Sequence, residues 1–454
     1  MHKLGLAKAL AGTALAVSAS LSLAQSYPNV PVTTDGTAQS QENPNYGVCH
    51  GTDPSCYHNW GVTRTSDSQF PNGKVLLFTR TAGPRHASLG SALATGLNPP
   101  LGPNNNPQRD LVRLLNAEGI GVDYTETVTN LSNLNRYRAV IFFSNSRDVL
   151  WDHGRAVNPA FAVSTTTSAY LDAAKVNLRQ YMRAGGGFVA VHNAHGTEYN
   201  WPWYEGLLGN SNYYDHGQYQ PGNFVITSAD SSTTPVGAPG TAVPFKDEWY
   251  NLVPFPTDVK FLATVDENTL ATKHSTHPGF PSFHPVAWCQ YYDGGRAWIT
   301  TLGHSLVDTS DTSTAPSEAD FPPAGRAAFQ SLLVNGIKSA MGLQPFCEAY
   351  GFSGFSGGAA NAGSAVQVSF TLAANGSAVP GSNPVTWVKS APAACNSGLP
   401  SGDFQIESVG ANAVGKGGEY HLNWKTDKSW AGSCRVLWML LSDGTVHHAN
   451  FQLN

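Results

Sequence analysis

The chain predicts an α/β protein with a mostly parallel sheet, followed by a small all-β, sandwich-like domain. Three observations carry this. Between Lys74 and Met341, short apolar runs alternate with stretches of helical periodicity, the pattern of βαβ units. A Gly/Ala/Ser-rich stretch at 348–365 interrupts that texture and reads as a linker. Beyond it, over 366–454, short runs alternate apolar with polar residues, as half-buried strands do.

The first residues, Met1 to Lys8, are basic, and an apolar, alanine-rich run from Ala9 to Leu23 ends in Ser22-Leu23-Ala24. This predicts a secretory signal over 1–24. No later segment reaches the ~20 apolar residues of a membrane helix, so the expected mature protein is secreted or periplasmic, with no permanent membrane anchor. Residues 25–70 are polar and turn-rich, an irregular arm closed by a small disulfide loop. The main body spans 71–347. In it, Lys74-Val-Leu-Leu-Phe-Thr79 fits a buried parallel strand. Asp110 to Glu118 has helical spacing and stops at Gly119, and Ile120 to Tyr124 starts another strand. Arg138 to Phe143 is a third strand, Ala169 to Ala184 an amphipathic helix, and Phe188 to His192 a fourth strand. The region 210–290 is less regular and predicts extra strands with long loops. A late strand at 296–302 precedes a helix from about Gly325 to Met341. In the last domain, Val366 to Leu372, Tyr420 to Trp424, Arg435 to Leu441 and Ala449 to Leu453 read as strands, with Asp443-Gly444 as a hairpin turn.

Six cysteines suit an oxidising compartment. Their spacing suggests Cys49 with Cys56, Cys289 with Cys347 and Cys395 with Cys434, among the many pairings six cysteines allow. The rival, a metal site at Cys49-His50…Cys56-Tyr-His58, lacks the paired CxxC spacing of zinc modules. A net charge of −5 with 13% charged residues argues against a nucleic-acid partner, which needs a basic stripe.

Chemistry concentrates at Gly185-Gly-Gly-Phe-Val-Ala-Val-His192-Asn193-Ala-His195, where an apolar strand runs into a polar turn, with Trp201-Pro-Trp203-Tyr204 after it. In open α/β sheets the ligand crevice lies beyond the carboxyl ends of the strands. His192 and His304 both end apolar strands, and imidazole moves protons near neutral pH. Asp247 and Glu248 are adjacent acids whose side chains point different ways, Asp247 as a structural partner and Glu248 as the functional acid. His86, His195 and His216 join His192, His304 and Glu248 as candidate ligands of a divalent cation such as zinc; a metal-free pocket of hydrogen-bonding imidazoles is the alternative. Trp201, Trp203, Tyr204 and Trp288 offer flat faces to a pyranose, while Asn193 or Arg296 would bond its hydroxyls. The same aromatics fit a core, and Arg296, just before a strand, fits an ion pair.

Seven elements in order resemble the ThuA-like (trehalose utilisation) family: Arg85-His86, the 185–192 run, Trp201-Pro-Trp203-Tyr204-Glu-Gly-Leu-Leu-Gly209, Asp215-His216, Asp247-Glu248-Trp-Tyr250, His284-Pro-Val-Ala-Trp288, and Gly294-Gly-Arg296 leading into Leu302-Gly-His304. The resemblance implies a flavodoxin or class I glutamine amidotransferase-like fold with helices on both sheet faces, and a role in sugar metabolism. His304 would stand where the amidotransferase histidine does. No cysteine occupies 192–195, so glutaminase chemistry is not expected. The C-terminal domain resembles the PxKF-type β domain, although Gln367-Val-Ser369-Phe370 holds Gln and Ser where that pattern has Pro and Lys. The expected protein is an exported hydrolase or lyase acting on a mono- or disaccharide, or its keto derivative, with the C-terminal domain contacting a cell surface. The alternative is a non-catalytic extracellular carbohydrate-binding protein.

Overall fold

The computed structural model describes residues 48–59, 64, 68–150, 173–199, 201–272, 280, 283–304, 323–374, 377–379, 384–395, 400–407, 414–416 and 418–454. The expected signal and most of the N-terminal arm lie outside them. The strands of the main body are β1 (His50–Gly51), β2 (Lys74–Phe78), β3 (Gly121–Thr125), β4 (Ala139–Phe143), β5 (Gly187–Val191), β6 (Tyr213–His216), β7 (Gln220–Ile226), β8 (Ala242–Asp247), β9 (Tyr250–Leu252), β10 (Lys260–Asp266), β11 (His284–Tyr292) and β12 (Gly295–Thr300). The helices are α1 (Asn106–Ala117), α2 (Ala173–Arg183), α3 (Pro202–Leu207) and α4 (Pro323–Ala340). Among the described residues, no helix is long and apolar enough to cross a membrane.

The central sheet runs β3-β2-β4-β5-β12-β11-β10-β7-β8, with β1 paired to β11. From β3 to β12 every pairing is parallel, and the order is that of flavodoxin-like sheets. Successive residues of these strands point to opposite faces, and each face is covered. Val75, Leu77, Ile141 and Val189 pack in one apolar core with Leu111 and Leu115 of α1 and Leu333 and Ile337 of α4. Leu76, Phe78, Val140 and Phe188 pack in another with Leu178 and Met182 of α2 and Trp203 and Leu207 of α3. Burial on both faces is why these strands are continuously apolar.

Beyond β12 the sheet turns antiparallel through β11, β10, β7 and β8. Each pairing reverses the chain, so β8 runs in the same sense as β12. It therefore delivers Asp247 to the carboxyl edge, where β2, β5 and β12 also end. The β11–β12 hairpin turns at Asp293-Gly294, both at positive φ (48° and 93°), as a type I′ turn requires.

The C-terminal domain is two five-stranded sheets around a shared core of Phe370, Leu422, Trp424, Leu437 and Phe451. The stretch read as a linker is part of it: Gly351–Ser353 pairs with Ala365–Ala374, and Gly358–Ala360 pairs with Val446–Leu453. Ladder bonds use backbone groups, so a Gly/Ala/Ser composition does not prevent edge pairing. Val385–Ala393, not singled out in the sequence, is a central strand. The domain docks on the main body, where the Phe261 N–H donates to the Gly444 carbonyl and Phe255 packs on Trp438 at 5.8 Å. Disulfides join Cys49–Cys56, Cys289–Cys347 and Cys395–Cys434, so the first cysteine pair is a covalent loop rather than a metal site.

Candidate functional site

At the carboxyl end of β5 the backbone enters the left-handed region at His192 (φ 53°) and continues as a short 3₁₀ turn, His192–Gly196. A non-glycine residue there costs roughly 1–3 kcal/mol and persists only when its surroundings enforce it. They do so here. His192 is fully buried, its Nδ1 bonds the Thr301 carbonyl at 2.8 Å, and the Asn193 amide donates to the Asn145 carbonyl at 2.7 Å. A carbonyl partner makes Nδ1 the protonated nitrogen, so Nε2 presents a lone pair to the crevice.

That lone pair faces three groups. Nε2 lies 2.9 Å from the Tyr250 hydroxyl, 3.2 Å from His86 Nε2 and 3.4 Å from Glu248 Oε2. Glu248 Oε2 is also 3.1 Å from His304 Nδ1 and 3.7 Å from both His86 Nε2 and His216 Nε2. One ligand atom each from His86, His192, Glu248 and His304 lies within 4.8 Å of the others. The four come from separate turns after β2, β5, β8 and β12. The side chains of His86, Glu248 and His304 keep 14, 15 and 24% exposure, so the cluster opens to a ligand.

Burial pushes His192 down to about 3, against the pull of Glu248, so it is neutral at physiological pH. Burial alone would raise Glu248, but contacts with His192, His304 and His86 outweigh it and hold the carboxyl well below its usual range. Burial lowers His304, but Glu248 and Asp247 more than compensate and raise it. His304 is therefore the imidazole best placed to carry a proton.

Asp247 plays another part. It is fully buried and accepts from the backbone N–H groups of Gly303 (2.7 Å), Glu248 (2.8 Å) and His304 (3.3 Å). Its carboxylate pins the loop that carries His304 and does not face the crevice. Arg85 does similar work for His86: it bonds the Gly90 carbonyl at 2.7 Å and Glu126 Oε1 at 2.8 Å.

The cluster suits a divalent cation. Three imidazoles and one carboxylate are a donor set used for zinc and similar ions. His192 Nε2 is held unprotonated, with its lone pair turned toward His86 Nε2 and Glu248 Oε2. His216 stays outside the four, with its ring against Tyr250.

The aromatic residues expected to meet a sugar lie elsewhere. Trp201, Trp203, Tyr204 and Trp288 are each 0% exposed and belong to the core under α3, with Trp288 donating to the Leu208 carbonyl and Trp203 to Asp293. Periodicity could not separate the two readings, and a helix of six residues buries most of its surface when it lies flat on a sheet. His195 is buried edge-on against Trp288. Arg296, at the start of β12, stacks on Tyr57 at 3.9 Å, on the opposite edge of the sheet. Asn193 remains beside the centre, 3.4 Å from the Tyr250 hydroxyl. The rings that border the crevice are instead Tyr250, Tyr213 and Tyr219, the last packed on His304 at 4.7 Å. The signal that could have found them is the run Tyr213-Tyr214-Asp215-His216…Tyr219, aromatic and flanking a histidine.

Burial has a consequence for stability. His195 is pushed down to about 4 from an unfolded value near 6.5. Between these values the unfolded chain binds a proton that the native state does not, so stability is full above pH 6.5 and falls as pH drops toward 4. At pH 5 the cost is on the order of 2 kcal/mol for this histidine. Urea unfolding of His195→Gln is expected to lose less stability between pH 7 and 5 than wild type. Parallel losses in the two proteins would refute the assignment.

The profile of the ThuA family, described as trehalose utilisation, matches residues 74–315. No curated protein sequence matches the chain. Among solved structures it is similar to a ThuA-like protein from Parabacteroides merdae, at 16% identity and a TM-score of 0.36 over 59% of this chain and 90% of that one. It is also similar to the twitchin kinase region from C. elegans, at 11% identity and a TM-score of 0.16 over 32% of this chain and 28% of that one. The profile match covers more than half of the sequence and includes His86, His192, Glu248 and His304, and on that ground the chain belongs to the ThuA (trehalose utilisation) family.

Proposed function

We propose that the histidine–Glu248 centre processes a mono- or disaccharide, or its oxidised keto derivative, by proton transfer assisted by a divalent cation such as zinc, in an exported protein. The observation that carries this is the convergence of four ligand atoms within 4.8 Å around a histidine whose Nε2 is kept unprotonated by the Thr301 carbonyl. Membership of a sugar-utilising family supports the substrate class, and three disulfides support an oxidising compartment.

His86, His192 and Glu248 would hold the cation, which when bound would polarise a sugar carbonyl or hydroxyl as a Lewis acid, leaving His304 to move protons. The other steps belong to the chain. His304, 3.1 Å from ionised Glu248, accepts a proton from the substrate and returns it. Tyr250 packs its ring against the His192 imidazole at 4.5 Å and keeps it oriented. Tyr213 and Tyr219 border the crevice with flat rings suited to the C–H face of a pyranose. The C-terminal domain would then serve attachment to a surface or partner.

The test is elemental analysis of the full-length protein together with turnover of 3-keto glycosides. One bound divalent ion per chain and product formation are expected. Neither metal nor product would overturn the reading, and saturable sugar binding without turnover would replace it with a carbohydrate-binding protein.

A further inference from the structure

A polar cavity of about 260 Å³ lies at the amino ends of β4, β5 and β12, on the sheet edge opposite the histidine centre. Arg64, Arg138 and Arg296 line it together with Tyr57, Gly185 and Gly342. Arg138 immediately precedes β4, Gly185 stands two residues before β5, and Arg296 is the second residue of β12. A five-residue strand rises roughly 17 Å, so the two sites are separate.

Guanidinium groups stay protonated at every physiological pH, yet among the described residues these three have no carboxylate partner. Arg85, Arg113 and Arg183, by contrast, each pair with a carboxylate. Arg64 and Arg296 are fixed instead by neutral groups. Arg64 donates to Asn135 Oδ1 (3.3 Å) and the Ala184 carbonyl (3.2 Å) and lies over the Tyr181 ring. Arg296 stacks on Tyr57 at 3.9 Å. Glycines make room for the guanidinium planes: a Cβ at Gly342 would meet Arg296 Nη1 at 2.5 Å, and one at Gly73 would meet Arg138 Nε at 2.8 Å. In a chain of net charge −5, three guanidiniums around one small cavity concentrate positive charge there.

We propose that this cavity binds a tetrahedral oxyanion, phosphate or sulfate, either free or as the ester group of a sugar. Planar guanidinium forks match such oxygens two at a time. The volume, below the roughly 300–1,000 Å³ of drug-sized pockets, suits a small ligand. The inference is independent of the histidine centre.

The experiment is calorimetric titration of the full chain with inorganic phosphate and with sulfate, at constant ionic strength set by sodium chloride. Saturable one-to-one binding is expected, weakened at least about 10-fold in Arg138→Gln/Arg296→Gln and unchanged in His192→Ala. Arg296→Lys keeps the charge and loses the fork; it is expected to bind several-fold more weakly than wild type, and it serves if the double variant misfolds. Glucose 6-phosphate and glucose 6-sulfate identify the source: tighter binding than the inorganic ion assigns a sugar ester, and equal or weaker binding assigns the free anion. Absence of saturable heat, equal affinity in the arginine variants, or loss of binding in His192→Ala would each overturn the proposal.

Discussion

Glu248→Gln is expected to lower turnover by roughly 100- to 10,000-fold, the range associated with losing a general acid or base, while the fold persists. Glutamine has nearly the same shape as glutamate, so the crevice stays filled and the loop between β8 and β9 keeps its course. What disappears is the charge. One oxygen of Glu248 stands 3.1–3.7 Å from nitrogens of His304, His192, His86 and His216, and no other carboxylate takes its place, because Asp247 is committed to backbone N–H groups. His304 then loses the contact that raises it above an ordinary histidine and can no longer store a proton near neutral pH. Affinity for a divalent ion should fall with turnover. Groups that merely support a ligand are worth about 10- to 100-fold in metal affinity, and a direct carboxylate ligand should be worth at least that much. Glu248→Asp separates charge from reach: it keeps the negative group one methylene short and should retain part of both properties. Zinc titration and steady-state rates on the same preparations are the measurements. Wild-type turnover in Glu248→Gln would remove this residue from the chemistry.

The sheet edge at which this site forms was legible from residues alone, because a run such as Gly187–Val191 is apolar on both faces and ends abruptly in His192-Asn193. Direction was legible too: Arg296 opens its strand rather than closing it, so the rule that places His192 at the crevice places Arg296 at the far edge. The convergence of His86, Glu248 and His304 on His192 was not encoded in any spacing. It depends on β8 emerging parallel to β12 after the antiparallel excursion, and on Asp247 tying the two turns together through the Gly303 N–H. Neighbouring acids with opposite tasks were foreseeable, since consecutive residues at a strand end project to opposite sides. The fate of Trp201, Trp203 and Tyr204 was not, because a binding wall and a core face share the same composition.

Asp293→Ala is expected to destabilise the main body by about 3–5 kcal/mol, the cost of breaking a buried ion pair from one side. Asp293 is 4% exposed. Its two carboxylate oxygens each lie 3.0 Å from Arg183 Nε, and one accepts from Trp203 Nε1 at 2.8 Å. Removing them takes the carboxylate from the buried Arg183 guanidinium and the acceptor from the Trp203 indole N–H. The backbone adds to the loss, because Asp293 holds φ at 48° in the β11–β12 turn, where aspartate and asparagine are tolerated better than alanine. Asp293→Asn divides the two contributions: it keeps the turn and one acceptor for Trp203 but not the charge. A loss close to that of alanine would assign the effect to Arg183, and a loss under about 1 kcal/mol would assign it to the turn. The damage should also reach the crevice. Trp203 lies in α3, and the neighbouring Tyr204 donates to the Ala194 carbonyl at 3.0 Å, inside the turn that holds His192 at positive φ. Urea unfolding followed by tryptophan fluorescence measures the first effect and turnover of the folded variant the second. An alanine variant as stable as wild type would show that the Arg183–Asp293–Trp203 contacts add nothing net to the fold.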